Sequence, residues 1–168
     1  MPNLRRSSFL RHCVIAALCL AGPICKSAHG QTLSVSASPS NVNFTLPRNG
    51  VASGDSVISI TTSWVISIPP FTITLYAFTS STTAALTDGA GHNIPTSKVS
   101  GSADGGAFTT FTGNSSFAPG QSVTIFTTSG ISLLGSRSDS LGLQIDTTSL
   151  ALPPATYRGT LTLRAVLM

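Results

Sequence analysis

Residues 57–68 read Val57-Ile58-Ser59-Ile60-Thr61-Thr62-Ser63-Trp64-Val65-Ile66-Ser67-Ile68. Ile58, Ile60, Trp64, Ile66 and Ile68 share one side of a period-two repeat, and only Thr62 interrupts that side. The other side is Val57, Ser59, Thr61, Ser63, Val65 and Ser67. Successive side chains of an extended strand point to opposite faces, so the stretch predicts a strand with one face in a core and hydroxyls on the other. Wound as a helix, the same residues would scatter their apolar groups around the axis. Pro69-Pro70 then stops the pairing, because proline has no N–H to donate.

The same period extends outward in both directions. Leu33, Val35 and Ala37 alternate with Thr32, Ser34 and Ser36, and Val42, Phe44 and Leu46 share one side of residues 41–46. Residues 71–79 place Phe71, Ile73, Leu75 and Ala77 inward, with Tyr76 and Phe78 on a partly apolar second face. Short strands are expected at 107–112 and 122–127. Another is expected at 141–147, where Leu141, Leu143 and Ile145 alternate with Gly142, Gln144 and Asp146. The final segment sets Tyr157, Gly159, Leu161, Leu163, Ala165 and Leu167 against Thr156, Arg158, Thr160, Thr162 and Arg164. Gly- and Asp-rich stretches at 88–93 and 101–106 read as turns. About eight or nine short strands separated by such turns predict an all-β, antiparallel, two-sheet sandwich. Trp64, Tyr157, Leu161 and Leu163 are core markers of that reading.

Charge divides the 168 residues into two parts. Residues 1–30 carry Arg5, Arg6, Arg11 and Lys26 with no acid, and also Cys13, Cys19 and Cys25. The 138 residues that follow carry five bases and five acids, no cysteine, and 23 Ser with 22 Thr. A basic patch for nucleic acid is therefore excluded there, as are disulfides and thiolate chemistry. With 41% apolar residues overall, the chain has enough to bury a core.

Residues 13–25 form an apolar run of 13, too short to span a bilayer as a helix. A basic start, this run, and the small residues Ala28 and Gly30 predict a secretory signal peptide over 1–30, cleaved near Gly30-Gln31. Residues 31–168 then form a single domain outside the cytoplasm, in the periplasm or on the cell surface, with no membrane span. Arg5-Arg6 raises twin-arginine export as an alternative, although the spacing to Phe9-Leu10 is one residue too long.

Chemistry is sparse. His92 is the one histidine after residue 30 and sits in a glycine-rich turn. No G-x-S-x-G elbow accompanies it. The run Asp88-Gly89-Ala90-Gly91-His92-Asn93 fails as a calcium loop because Ala90 offers no side-chain oxygen. One His without Cys serves zinc poorly. No phosphate-cradling glycine loop occurs. Asn43-Phe44-Thr45 and Asn114-Ser115-Ser116 match the glycosylation sequon, as chance allows in so hydroxyl-rich a chain. No cofactor and no catalytic residue is expected.

Two segments carry a resemblance. Ser34-Val35-Ser36-Ala37-Ser38-Pro39 with Val42-Asn43-Phe44, and Leu152-Pro153-Pro154-Ala155-Thr156-Tyr157-Arg158-Gly159-Thr160-Leu161-Thr162-Leu163, resemble the opening and closing strands of secreted bacterial fimbrial subunits and spore-coat-U-like proteins. The resemblance implies an immunoglobulin-like sandwich lacking one strand, whose groove is filled by a neighbour's N-terminal segment. Ala155 stands where that pattern has glycine, and no cysteine pair is present. The expected function is a non-enzymatic structural or adhesive subunit. Its partners would be copies of itself or related subunits, joined by an assembly strand around Leu33, Val35 and Ala37, with a periplasmic chaperone. The alternative is a free-standing secreted module binding a glycan or protein; a small secreted hydrolase is third.

Overall fold

The computed structural model describes residues 31–67, 72–112, 122–129 and 133–168. The expected signal peptide and its cleavage point, Ile68, Pro69-Pro70, Phe71 and the Asn114 sequon lie outside them. The described residues form an all-β structure of antiparallel sheets with no α-helix. No helix among them is long and apolar enough to cross a membrane.

Eleven strands are described, four of them only two or three residues long, which exceeds the eight or nine expected. They are β1 Thr32–Ser38, β2 Val51–Ser53, β3 Ile58–Val65, β4 Thr72–Thr79, β5 Leu86–Thr87, β6 Asn93–Ile94, β7 Val99–Ala103, β8 Thr109–Thr110, β9 Val123–Ser129, β10 Leu134–Asp146 and β11 Leu161–Leu167. The larger sheet runs β1-β3-β10-β7-β8, with β2 also on β10. The smaller runs β11-β4-β9, and β5 pairs with β6 as a separate hairpin.

β3 behaves as its alternation requires: Ile58, Ile60, Thr62 and Trp64 are buried, while Ser59 and Val65 are exposed. Leu141, Leu143 and Ile145 of β10 and Ile73, Leu75 and Ala77 of β4 join them in one apolar cluster between the two larger sheets. The arrangement is sandwich-like. On β9, Leu75 of β4 pairs with Phe126 and Tyr76 with Thr124, so Ile125 is bulged out of the register. The bulge lets two consecutive residues, Ile125 and Phe126, both be buried.

Thr62, the exception in the opening stretch, has a physical setting. It pairs across the sheet with Arg137, which is exposed. Arg137 Nε donates to Asp139 Oδ1 at 2.6 Å, and its guanidinium lies 4.8 Å from the centroid of the Phe126 ring. The apolar face of β3 is thus interrupted at one position, where the buried Thr62 Oγ1 has no hydrogen-bond partner among the described residues, and resumes at Trp64.

On the outward face of the larger sheet, register aligns three hydroxyl rows: Ser34-Ser63-Ser136, Ser36-Thr61-Ser138 and Ser38-Ser59-Ser140.

Candidate functional site

The segment after β1 was expected to be a strand, and it is not one. Within residues 41–46, Val42, Phe44 and Leu46 are half-buried while Asn41, Asn43 and Thr45 are exposed. No sheet includes them. Asp55 holds the segment: Asn43 N and Nδ2 donate to its carboxylate at 3.0 and 2.7 Å, and Asp55 N donates to Asn43 O at 2.9 Å. Those bonds, led by the Asn43 side chain, keep the Asp55 carboxyl below its ordinary pKa. Gly54 makes the close approach possible, since a Cβ there would lie 2.5 Å from Val42 Cγ1.

Opposite runs the stretch from Leu152 into β11. Tyr157 donates from its hydroxyl to Pro153 O at 3.1 Å, and burial, with the charge of Asp88, raises its pKa. Arg158 is tied to Thr87 by reciprocal backbone bonds of 2.8 and 2.9 Å. At Gly159 the chain passes so close to the β5 hairpin that a Cβ would lie 1.9 Å from Ala85 O. β11 pairs with β4 along one edge, and no described strand pairs with its other edge.

Between these walls lies a groove of about 1120 Å³. Its apolar lining includes Val42, Phe44, Ile58, Leu143, Leu161 and Leu163. Polar and charged residues, among them Asn43, Arg48, Arg158 and the buried Thr79, make up a comparable share of its wall. Chemically it is a groove of mixed apolar and polar lining, bordered on one side by an edge of β11 that no described strand pairs.

The expected site residues fall in different places. Trp64 is 6% exposed and packs in the core, with its indole so close to Gly135 that a Cβ there would lie 2.7 Å from Cζ2. Tyr157, Leu161 and Leu163 are half-buried and line the groove rather than an enclosed interior. Leu33 and Val35 are half-buried and Ala37 is exposed. Their strand, β1, pairs with β3 of its own chain at every position from Thr32 to Ser38. Sequence reasoning placed Val42, Phe44 and Leu46 on a buried strand face and missed the clamp at Asp55. The one available signal was that Pro39 and Pro47 bracket the segment.

His92 lies in the β5–β6 turn, where its Nδ1 is 2.6 Å from Asp88 Oδ2. Burial disfavours the Asp88 carboxylate, but bonds from the His92 side chain and the N–H groups of Ala90 and His92 outweigh it and leave its pKa lowered. Among the described residues no hydroxyl is hydrogen-bonded to His92, and no three His, Cys, Asp or Glu converge as metal ligands.

No protein-family model matches the chain, and no curated protein is significantly similar to it.

Proposed function

We propose that the chain is a secreted, non-enzymatic structural or adhesive subunit with an immunoglobulin-like sandwich, whose groove accepts an extended segment of another chain. The observation that carries this is a groove lined in part by Val42, Phe44, Leu161 and Leu163 beside an edge of β11 that no described strand pairs. An added strand gains main-chain bonds from such an edge and seats alternate side chains in the groove. The periodic but unpaired segment 41–46 supports the same reading, because it has the form of a strand whose neighbour comes from elsewhere. A copy of the chain, a related subunit or a periplasmic chaperone can supply that neighbour.

The occupation of β1 bears on who donates. Residues 32–38 are used within their own sheet, so giving them to another copy costs the whole β1–β3 ladder. That observation favours the second reading, a free-standing module whose groove binds a peptide or glycan.

Sedimentation of the purified chain over a range of concentrations separates the two, alone and with Leu163→Asp. A ladder of oligomers that the substitution abolishes, with the fold intact, supports the subunit. A strict monomer under all conditions leaves the module.

A further inference from the structure

We propose that Asn49 is a site of spontaneous covalent modification, converting to aspartate and isoaspartate through a cyclic imide. Asn49-Gly50 is the only Asn-Gly pair in the 168 residues. It occupies the exposed turn that links residues 41–46 to β2. Gly50 has φ +138°, a backbone conformation that residues with a side chain rarely adopt, so the turn itself demands glycine here. The same lack of a side chain removes steric hindrance to attack by the Gly50 nitrogen on the Asn49 amide carbon.

The surrounding bonds fix the carbonyls of Pro47 and Gly50, and one donor reaches the Asn49 amide. Thr147, fully buried, donates from its N to Gly50 O at 2.7 Å. Its hydroxyl lies 2.9 Å from Gly50 O and 2.8 Å from Pro47 O. The Gly50 N–H takes no part in these contacts. The Ser149 N–H donates to Asn49 Oδ1 at 3.3 Å. A donor at that oxygen makes the amide carbon more electrophilic and stabilises the negative charge that develops on attack.

The step is closed in atoms and needs only water. The Gly50 nitrogen, deprotonated by hydroxide, bonds to Asn49 Cγ; the Cγ–Nδ2 bond breaks and Nδ2 leaves as ammonia with a proton from water. Water then opens the imide. Cleavage of the N–Cγ bond yields aspartate with the peptide link unchanged. Cleavage of the bond between the nitrogen and the Asn49 carbonyl carbon yields isoaspartate, whose main chain runs through Cγ and is one carbon longer. Aspartate keeps the acceptor for Ser149. Isoaspartate displaces the Gly50 carbonyl from Thr147 and shifts the entry to β2.

The test holds the purified chain at mildly alkaline pH and physiological temperature and follows each asparagine by peptide mass mapping with isoaspartate detection. Asn49 should convert faster than Asn41, Asn43 and Asn93 by about an order of magnitude, giving acidic species separable by ion exchange. Asn49→Gln should remove those species. The separated isoaspartate form should melt below the parent, whereas Asn49→Asp should melt with the parent. An Asn49 that stays intact in the folded chain while the urea-unfolded chain converts would overturn the proposal. So would an isoaspartate form that melts with the parent.

Discussion

β3 and β11 carry the same alternation, and only one of them is buried as the pattern promises. Ile58 and Ile60 lie at 7% and 0% exposure, whereas Leu161 and Leu163 are half-open. The difference lies in what covers each strand. β3 sits between β1 and β10 and faces the smaller sheet, while β11 is an edge whose inner face borders the groove. A period of two fixes which side chains share a face. Whether that face is covered depends on an element that belongs to the rest of the fold, or to another molecule.

The largest test of the contrast is a carboxylate in each half. Ile60→Asp buries an unpaired charge and should cost several kcal/mol, enough to abolish a cooperative melting transition. Leu161→Asp keeps contact with water at the groove and should cost roughly 1–2 kcal/mol. Equal losses in chemical denaturation would break the comparison. Next comes Gly159→Ala. Its Cβ would meet the Ala85 carbonyl, which is backbone and cannot swing aside, so the bridge between Thr87 and Arg158 must open. A loss of about 2–3 kcal/mol is expected, with faster hydrogen exchange at Thr87 and Arg158.

Truncation sharpens the contrast further. Leu75→Ala, at 0% exposure, should cost about 2–5 kcal/mol, and Leu163→Ala about 1 kcal/mol, because water already reaches the latter. The smallest mutational effect is expected on the outward hydroxyl face, where Ser138→Ala should stay within about 0.5 kcal/mol in the same measurement.

A pH effect distinguishes the polar end of the core from the surface turns. Burial raises the Asp139 carboxyl above its ordinary pKa, against the opposing bond and charge of Arg137. Its Oδ2 has no hydrogen-bond partner among the described residues. A raised acid binds its proton more tightly in the folded state, so its share of stability is present in acid and declines as pH rises from the unfolded value through the folded one. Asp55 and Asp146 have the opposite sign: hydrogen bonds from Asn43 and from Thr148 lower them, and their share is lost as pH falls below the unfolded value. Asp139→Asn should therefore flatten the decline above pH about 4 and leave the acid limb in place, as read from denaturation midpoints across pH.

Much of the architecture was legible because it is local. The all-β class follows from alternation at 57–68 and 156–167, and the strand at 141–147 is the second half of β10. The first half was missed because Gly135, Arg137 and Asp139 stand where the alternation calls for apolar residues, with Arg137 Nε donating to one Asp139 oxygen. β2, the β5–β6 hairpin and β7 were hidden by brevity or by small residues; Gly101 faces inward because Leu141 and Phe111 close over it. The groove was illegible for a different reason. Nothing in Val42, Phe44 and Leu46 distinguishes a paired strand from a groove wall, since the distinction depends on how far β11 lies from them.

The three hydroxyl rows carry nine positions and no charge. Elsewhere, charges are few and balanced, and some pair with one another, as Lys98 does with Asp146 and Arg137 with Asp139. Such a surface is wetted by neutral donors and acceptors rather than by a counterion cloud. Mobile ions screen fields between charges, and here there is little field to screen. Dilute buffer and brine should then look alike to this molecule, and its solubility should hold steady across salinities that would reorganise the contacts of a highly charged domain.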